Sequence, residues 1–238
     1  MRFKELHIGG GTPSILDVRR MKGFLSGIFK SFDFEDGCHM AVEFHPTSSS
    51  YEKLMAVREF GFNHVSFGVQ SFDRGTLRLN NRSDQSAKAV RESVADAKRA
   101  GFDTVNIDLL YGLHGDDPVK LAESLKKAVM IGPDKICLYS VQPTEHYLSK
   151  VCGMKKSEFF ERRKGMMGSA LDEILRTADA GGYDHSVAMS ATSGGESGGM
   201  ISFHKKGFAP QGGLTDPNGT AWSVFGIGLY AFSNIHDK

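Results

Sequence analysis

Three polar residues, Glu43, Gln70 and Asp108, occupy similar positions in three short runs of alternating polar and apolar residues. Each lies on the less apolar face of its run, at or near the carboxyl end. A polar side chain that faces a protein interior needs a partner, because burying it unpaired costs on the order of 1–3 kcal/mol. The partner is either a neighbouring protein group or a ligand. Three such residues on successive strands favour a site that binds a ligand through hydrogen bonds.

A glycine-rich turn, GGGTP at residues 9–13, precedes all three residues. Successive glycines allow the main chain to approach a ligand closely and to direct N–H and C=O groups at it. The helix that follows adds its unpaired N-terminal N–H groups. A tight connection is the more common use of such a turn, and the lack of a following Gly-Lys-Ser/Thr excludes a P-loop.

Two other clusters suggest different chemistry. His39, Glu43 and His45 share one strand face, but a single strand seldom supplies a whole metal coordination shell, so ordinary strand histidines are the favoured interpretation. Arg162 and Arg163 suggest an anion-binding patch, yet acidic side chains lie among the basic ones there. This segment is predicted to be a solvent-exposed helix face.

Strands and helices in alternation must position these polar residues. Patterns of period two predict strands at residues 3–8, 40–44, 65–69, 105–111 and 135–141. Helical spacing predicts helices at residues 15–32, 54–60, 86–99, 119–130 and 157–180. This order favours parallel βαβ units in an α/β barrel or open barrel, which holds its ligand at the carboxyl ends of the strands.

A doubly wound sheet is the competing architecture, but no dinucleotide-binding glycine fingerprint follows the first strand. The end of the chain has a different composition. Residues 194–219 contain eight glycines and two prolines with little periodicity, which predicts an irregular loop.

Composition limits the partners of the chain. Its 238 residues include 29 basic and 28 acidic side chains, and this balance argues against nucleic acid or an anionic membrane as a partner. No apolar run reaches the roughly 18 residues of a membrane span, and the N-terminus lacks the layout of a signal peptide, so a cytoplasmic location is predicted. Cys38, Cys137 and Cys152 are odd in number and widely spaced, which predicts neither a disulfide framework nor a close-spaced metal motif.

Six sequence blocks resemble, in order and spacing, those of the radical S-adenosylmethionine enzymes. The blocks are IGGGTPS at 8–14, VEFHP at 42–46, FGVQSF at 67–72, LNNR at 79–82, AGFDTVNIDLLYGL at 100–113 and GPD at 132–134. They resemble in particular the branch of oxygen-independent coproporphyrinogen III oxidase and its relatives. The resemblance covers most of residues 6–145 and returns weakly at 181–183 and 225–233.

This resemblance implies a partial triose-phosphate-isomerase-like (β/α)6 barrel that lacks its first strand. Residues 1–150 would form the barrel core, and residues 151–238 the last helix, an irregular glycine-rich segment and the start of a C-terminal region. The implied cofactors are S-adenosylmethionine and a four-iron four-sulfur cluster. Family positions that contact S-adenosylmethionine are occupied here by Gly10, Gly11, Thr12, Glu43, Gln70, Arg82, Asp108, Gln142 and Phe232.

The implied chemistry depends on the cluster. A reduced cluster passes one electron to the sulfonium, and the resulting 5′-deoxyadenosyl radical takes a hydrogen atom from the substrate. In the coproporphyrinogen branch this begins the oxidative decarboxylation of propionate side chains to vinyl groups in haem biosynthesis. The implied partner is therefore a small-molecule substrate, a tetrapyrrole.

The sequence departs from the family in its cysteines. The family holds its cluster with a C-x-x-x-C-x-x-C run after the first barrel strand, and this sequence contains no such run. Its own three cysteines are poor substitutes, because three thiolates must converge on one cluster. We expect either a fragment of a longer enzyme or a short cluster-free relative, without radical activity by itself. A sheet without its first strand would also expose an edge through which it associates with another chain.

Two other functions stay open. A haem chaperone, or a haem-degrading or other radical methyltransferase, would share the same core. The chaperone signature, a His-Asn pair followed by Tyr-Trp, is missing from residues 200–222. From a different class, a cluster-free module would bind S-adenosylmethionine or a porphyrin without turning it over.

Overall fold

The computed structural model describes residues 2–191 and 197–208. Its strands are β1 Arg2–Ile8, β2 Asp33–Phe44, β3 His64–Gln70, β4 Thr104–Tyr111, β5 Lys135–Ser140, β6 Tyr183–Ala191 and β7 Ser197–Lys205. Its helices are α1 Val18–Ser31, α2 Tyr51–Arg58, α3 Arg74–Leu79, α4 Ala87–Arg99, α5 Pro118–Ile131 and α6 Lys156–Ala180. Short helical turns lie at Pro13–Ile15, Pro46–Ser48 and Tyr147–Cys152.

The strands form one sheet in the order β1-β2-β3-β4-β5-β7-β6. Strands β1 to β5 are parallel neighbours in chain order, whereas β7 runs antiparallel to both β5 and β6. This confirms the α/β class with a parallel sheet. The sequential order matches one wall of a barrel and lacks the reversal of a doubly wound sheet. Over the described ranges the sheet is open, with β1 and β6 at its edges, and association through the β1 edge stays a prediction.

The prediction of an irregular loop at residues 194–219 is wrong for Ser197–Lys205, which form β7. The strand register places β7 between β5 and β6, and Phe203 pairs with both Ile136 and His185. Ile201 and Phe203 are buried in the core, so the segment has an apolar face. The glycines before them conceal this short alternation in the sequence. Residues 209–219 lie outside the described ranges.

The core lies between the sheet and its helices. Val65, Ile107 and Ile136 of the sheet pack with Leu25 of α1 and Leu121 of α5, all fully buried. Helix α6 contributes to the same core and packs against α5. The division at residue 150 stays a prediction. No helix within the described ranges is both long and apolar enough to cross a membrane.

Local sequence signals fix where the helices begin. The side chains of Asp17, Ser50, Asp73, Ser86 and Asp117 each accept a hydrogen bond from a main-chain N–H in the first turn of the following helix. Such caps contribute about 1 kcal/mol each. They stabilise the first turns of α1 to α5.

Candidate functional site

A cleft of about 270 Å³ lies at the carboxyl ends of the parallel strands. Its lining contains Gly10, Gly11, Thr12, Glu43, Gln70, Arg82 and Asp108, together with Pro13, Phe44, His45, Gly68, Leu110 and Tyr139. Most residues that the sequence indicated are therefore brought to one place. Gln142 is not part of this lining, and its Nε2 donates to Ser140 Oγ at 3.1 Å. Phe232 lies outside the described residues.

The glycine turn lets the main chain pass directly beside Glu43. A Cβ atom on Gly9 would lie 2.6 Å from the Cδ of Glu43, so residue 9 has no room for a side chain while Glu43 keeps this position. Gly10 has a φ of +98°, a conformation that favours glycine. The sequence also predicted that a helix directly after the turn would offer its N-terminal N–H groups to a ligand. This is wrong, because a 3-10 turn at Pro13–Ile15 intervenes and Asp17 caps α1.

His7 is the first cleft neighbour that the sequence reasoning missed. Its Nε2 lies 3.0 Å from Glu43 Oε1, and this hydrogen bond raises the pKa of the His7 imidazole above its usual value despite partial burial. His7 follows Leu6 and precedes Ile8 in an alternating strand. That alternation was the available signal, since it puts His7 on the polar face next to the glycine turn.

Asp108 sits in a small polar network below the cleft. The hydroxyl of Ser66 donates to its Oδ2, and Asn106 Nδ2 donates to its Oδ1 at 2.7 Å and to Ser66 Oγ at 2.6 Å. Burial raises the pKa of Asp108 to about 6, more than these two hydrogen bonds lower it, and the charge of Glu43 raises it further. The carboxyl is therefore charged only above about pH 6.

Gln70 ends β3 in an unusual conformation. Its φ is +70°, and the pairing of β3 with β4 is irregular between Gly68 and Gln70. The side chain of Gln85 supports this bulge, because its Nε2 donates to Val69 O at 2.7 Å and to Ser71 O at 3.2 Å. The bulge brings Gln70 into the cleft lining.

Arg82 enters the cleft from the turn after α3. Asn81 adopts a φ of +58°, which asparagine tolerates better than most residues, and Arg82 N then donates to Leu77 O at 2.8 Å. The Arg82 Nη1 donates to Gly68 O at 2.8 Å, which fixes one side of the guanidinium. Burial lowers the pKa of Arg82, but an arginine stays charged in proteins. The LNNR block thus places a planar cation in the cleft.

Charge and polarity together describe the ligand that fits this cleft. Glu43 and Asp108 offer carboxylate acceptors, and Arg82 offers a donor fork suited to a carboxylate. Leu110 and Tyr139 add apolar surface. A small ligand with an apolar part, hydrogen-bond donors or a cationic group, and a carboxylate would find a partner for each.

The cysteines of the chain do not meet at the cleft. Cys38 on β2 and Cys137 on β5 are buried, and Cys152 ends the turn at Tyr147–Cys152. Burial raises the pKa of Cys38 to about 11, so its thiol is protonated at neutral pH. Across residues 2–191 and 197–208, no group of three or more His, Cys, Asp or Glu side chains is arranged to hold a metal ion. These residues therefore do not fit an iron–sulfur cluster.

Comparison with known proteins places the chain in a family. The family model described as the radical SAM superfamily matches residues 1–127. The oxygen-independent coproporphyrinogen III oxidase of Paracoccus denitrificans is 32% identical over 139 residues, 58% of this chain and 31% of that protein. The heme chaperone HemW of Lactococcus lactis is 30% identical over 145 residues, 61% of this chain and 38% of that protein. The chain thus spans about a third of the length of these curated relatives.

Solved structures show the same fold. Coproporphyrinogen III oxidase from Escherichia coli, described as a radical SAM enzyme, superimposes with a TM-score of 0.74 at 23% identity, over 97% of this chain and 52% of that one. Elp3 from Methanocaldococcus infernus gives a TM-score of 0.52 at 18% identity, over 73% of this chain and 44% of that one. The chain therefore shares its fold with these proteins.

Proposed function

Because the chain belongs to the radical S-adenosylmethionine superfamily, we propose that its cleft binds S-adenosylmethionine. The observation that carries this proposal is the convergence of the glycine turn, Glu43, Arg82 and Asp108 on one cleft. Its volume of about 270 Å³ is near the lower end of small-molecule pockets, about 300 Å³. When bound, the cofactor supplies a sulfonium carbon–sulfur bond that can be broken to give a radical.

Each part of the cleft has a role in holding the cofactor. The main chain of Gly10, Gly11 and Thr12 binds the amino-acid part, and the guanidinium of Arg82 pairs with its carboxylate. Glu43 and Asp108 accept hydrogen bonds from the cofactor, and their negative charge favours its cationic sulfonium. The side chain of Gln70 is held by its bulge and contributes a further amide.

For the whole reaction we propose the chemistry of the coproporphyrinogen oxidase branch, the oxidative decarboxylation of a tetrapyrrole's propionate groups. The similarity to the oxygen-independent coproporphyrinogen III oxidase of Paracoccus denitrificans and the shared fold support it. A haem chaperone is the second candidate, supported by the similarity to HemW. The described residues do not fit a cluster, so we derive no radical step for this chain. A module that binds S-adenosylmethionine or a porphyrin without turnover is the candidate of a different class.

Binding titrations of the purified chain test the proposal. S-adenosylmethionine should bind, and Arg82→Gln should weaken it about tenfold or more, because a charge-assisted hydrogen bond is worth roughly 1.5–3 kcal/mol. Lys88→Ala is the matched control, since Lys88 is an exposed cation on α4 outside the cleft. Coproporphyrin III is titrated in parallel. Porphyrin binding without S-adenosylmethionine binding would favour the cluster-free module, and no binding of either ligand would contradict the proposal.

A further inference from the structure

His7 pairs with Glu43 beside the cleft, and the proposed function gives His7 no role. We propose that His7 is a positioning residue: it holds the Glu43 carboxylate in place, and the arrival of a cationic sulfonium ligand beside Glu43 expels a proton from the imidazole. This inference rests on the proposed function and deepens it. It makes the occupancy of the cleft sensitive to pH near neutrality.

The segment from His7 to Gly9 approaches the Glu43 carboxylate closely. His7 lies opposite Ala41 in the parallel pairing of β1 with β2, so Glu43 is two residues further along the same face. The His7 Nε2 contacts Glu43 Oε1 at 3.0 Å, and Gly9, which has no side chain, leaves room for the carboxylate. Both side chains remain partly exposed, at 53% and 41%, so a ligand and protons can reach them.

The charges around His7 favour its protonated form. The hydrogen bond to Glu43 has the largest effect on its pKa, and burial opposes it. The acidic groups that raise the pKa further lie on three strands and are Glu5, Glu43 and Asp108. Two histidines on the same face, His39 and His64, are kept neutral by burial, and the charge of His7 lowers their pKa values. His7 is therefore the histidine on this face whose pKa lies above its usual value.

The coupling between ligand binding and proton binding determines whether the affinity rises or falls with pH. A cation bound next to Glu43 removes part of the stabilisation that the carboxylate gives to the imidazolium, so binding lowers the pKa of His7 and releases a proton. By reciprocity, the ligand binds more tightly once His7 has lost that proton. One unit charge at about 4 Å in water is worth roughly 1 kcal/mol, which corresponds to about fivefold in affinity.

Asp108 in the cleft lining and Asp116 outside it also titrate near this range, with pKa values of about 6 and about 7. Both are present in the wild-type chain and in His7→Gln, so the comparison of these two chains between pH 7 and pH 8.5 isolates the contribution of His7. The ligand's own amino group also titrates there. Its contribution is the same for the wild-type chain and for His7→Gln, and it cancels when the two are compared.

Calorimetric titration in buffers of different ionisation enthalpy counts the protons released on binding S-adenosylmethionine. At pH 7 the wild-type chain should release a larger fraction of a proton than His7→Gln. The control variant is His146→Gln, which changes an exposed histidine immediately before the turn at Tyr147–Cys152 and should behave as wild type. With S-adenosylhomocysteine, which lacks the sulfonium charge, the difference between wild type and His7→Gln should disappear. Between pH 7 and pH 8.5 the affinity of the wild-type chain should rise by up to about fivefold relative to that of His7→Gln.

A measurement on the wild-type chain alone tests the proposal even if His7→Gln fails to fold. NMR titration of the His7 imidazole in the wild-type chain should give a lower pKa in saturating S-adenosylmethionine than in its absence. An unchanged pKa, or equal proton release by wild type and His7→Gln when both bind, would overturn the role of His7 and leave the proposed function standing. Failure of the wild-type chain to bind S-adenosylmethionine would overturn the proposed function, and the role of His7 with it.

Discussion

Gly9 shows how one missing side chain shapes the cleft. A methyl group at this position would collide with the Glu43 carboxylate, and the end of that flexible side chain can rotate away. Gly9→Ala should therefore cost little stability, about 1 kcal/mol or less, but should weaken S-adenosylmethionine binding severalfold because Glu43 is displaced.

Denaturant unfolding and ligand titration of Gly9→Ala measure the two effects separately. Gly23→Ala on α1 is the control, because a Cβ at Gly23 meets no neighbouring atom. That variant should gain roughly 0.5–1 kcal/mol and bind normally. Wild-type affinity in Gly9→Ala would contradict the role assigned to Glu43.

Asp108 predicts a pH dependence of stability whose sign follows from its raised pKa of about 6. Between its unfolded pKa, about 3.9, and about 6, the folded chain holds a proton that the unfolded chain has lost. The contribution of Asp108 is thus fully present below about pH 4 and is lost as the pH rises to about 6. An asparagine side chain does not titrate. Relative to Asp108→Asn, the free energy of unfolding of the wild-type chain should therefore fall by on the order of 2 kcal/mol over this pH range.

Urea unfolding of both chains at closely spaced pH values measures that difference. His64 acts in the opposite direction, because burial lowers its pKa to about 3 and its neutral form is the stable one in the folded chain. Its effect is common to wild type and Asp108→Asn and is removed by subtraction. A difference that is constant with pH would show that folding does not raise the pKa of Asp108.

At the scale of elements, local signals were sufficient for the parallel part of the sheet. Alternation placed β3 and β4 within a residue or two, and the glycine stop after α4 is present, since Gly101 has a φ of +81°. Helix α3 was missed because its six residues are too few to show a helical period. The bulge at Gln70 also has no sequence signature, because it depends on Gln85 supporting the chain from a distant turn.

A substitution in strand β7 tests whether these residues form a strand, which is the main correction to the fold predicted from the sequence. Phe203 is fully buried, so Phe203→Ala should lower the free energy of unfolding by about 3–5 kcal/mol through the cavity that it leaves. Val187→Ala on β6 is the control, because Val187 is 61% exposed. It should change stability by about 0.5 kcal/mol or less.

Hydrogen exchange provides a second measurement of the same element. The main-chain N–H groups of β7 that pair with β5 should be protected as strongly as those of β4. Rapid exchange throughout Ser197–Lys205, together with a mild effect of Phe203→Ala, would restore the irregular segment that composition had predicted.

For the whole molecule, the sequence predicted residues within a single strand that line the cleft, but not residues whose role depends on the neighbouring strand. Glu43, Gln70 and Asp108 were selected by strand alternation alone and lie in one lining. Alternation also puts His7 on the polar face, but its importance, like that of Tyr139, arises from the register of neighbouring strands, which brings together residues about 30 positions apart. Periodicity along one strand carries no information about which strand lies beside it.

The three cysteines do not converge on one point, and this leads to a prediction for the whole chain. After anaerobic treatment with iron and sulfide, the chain should show no cluster absorption and form no 5′-deoxyadenosine from S-adenosylmethionine under reducing conditions. The physical reason is that Cys38 and Cys137 are buried on separate strands and have raised thiol pKa values, whereas a cluster needs converging thiolates. A variant with Cys38, Cys137 and Cys152 changed to serine is the control for iron bound adventitiously. Product from the wild-type chain that this variant fails to form would show that these cysteines do hold a cluster.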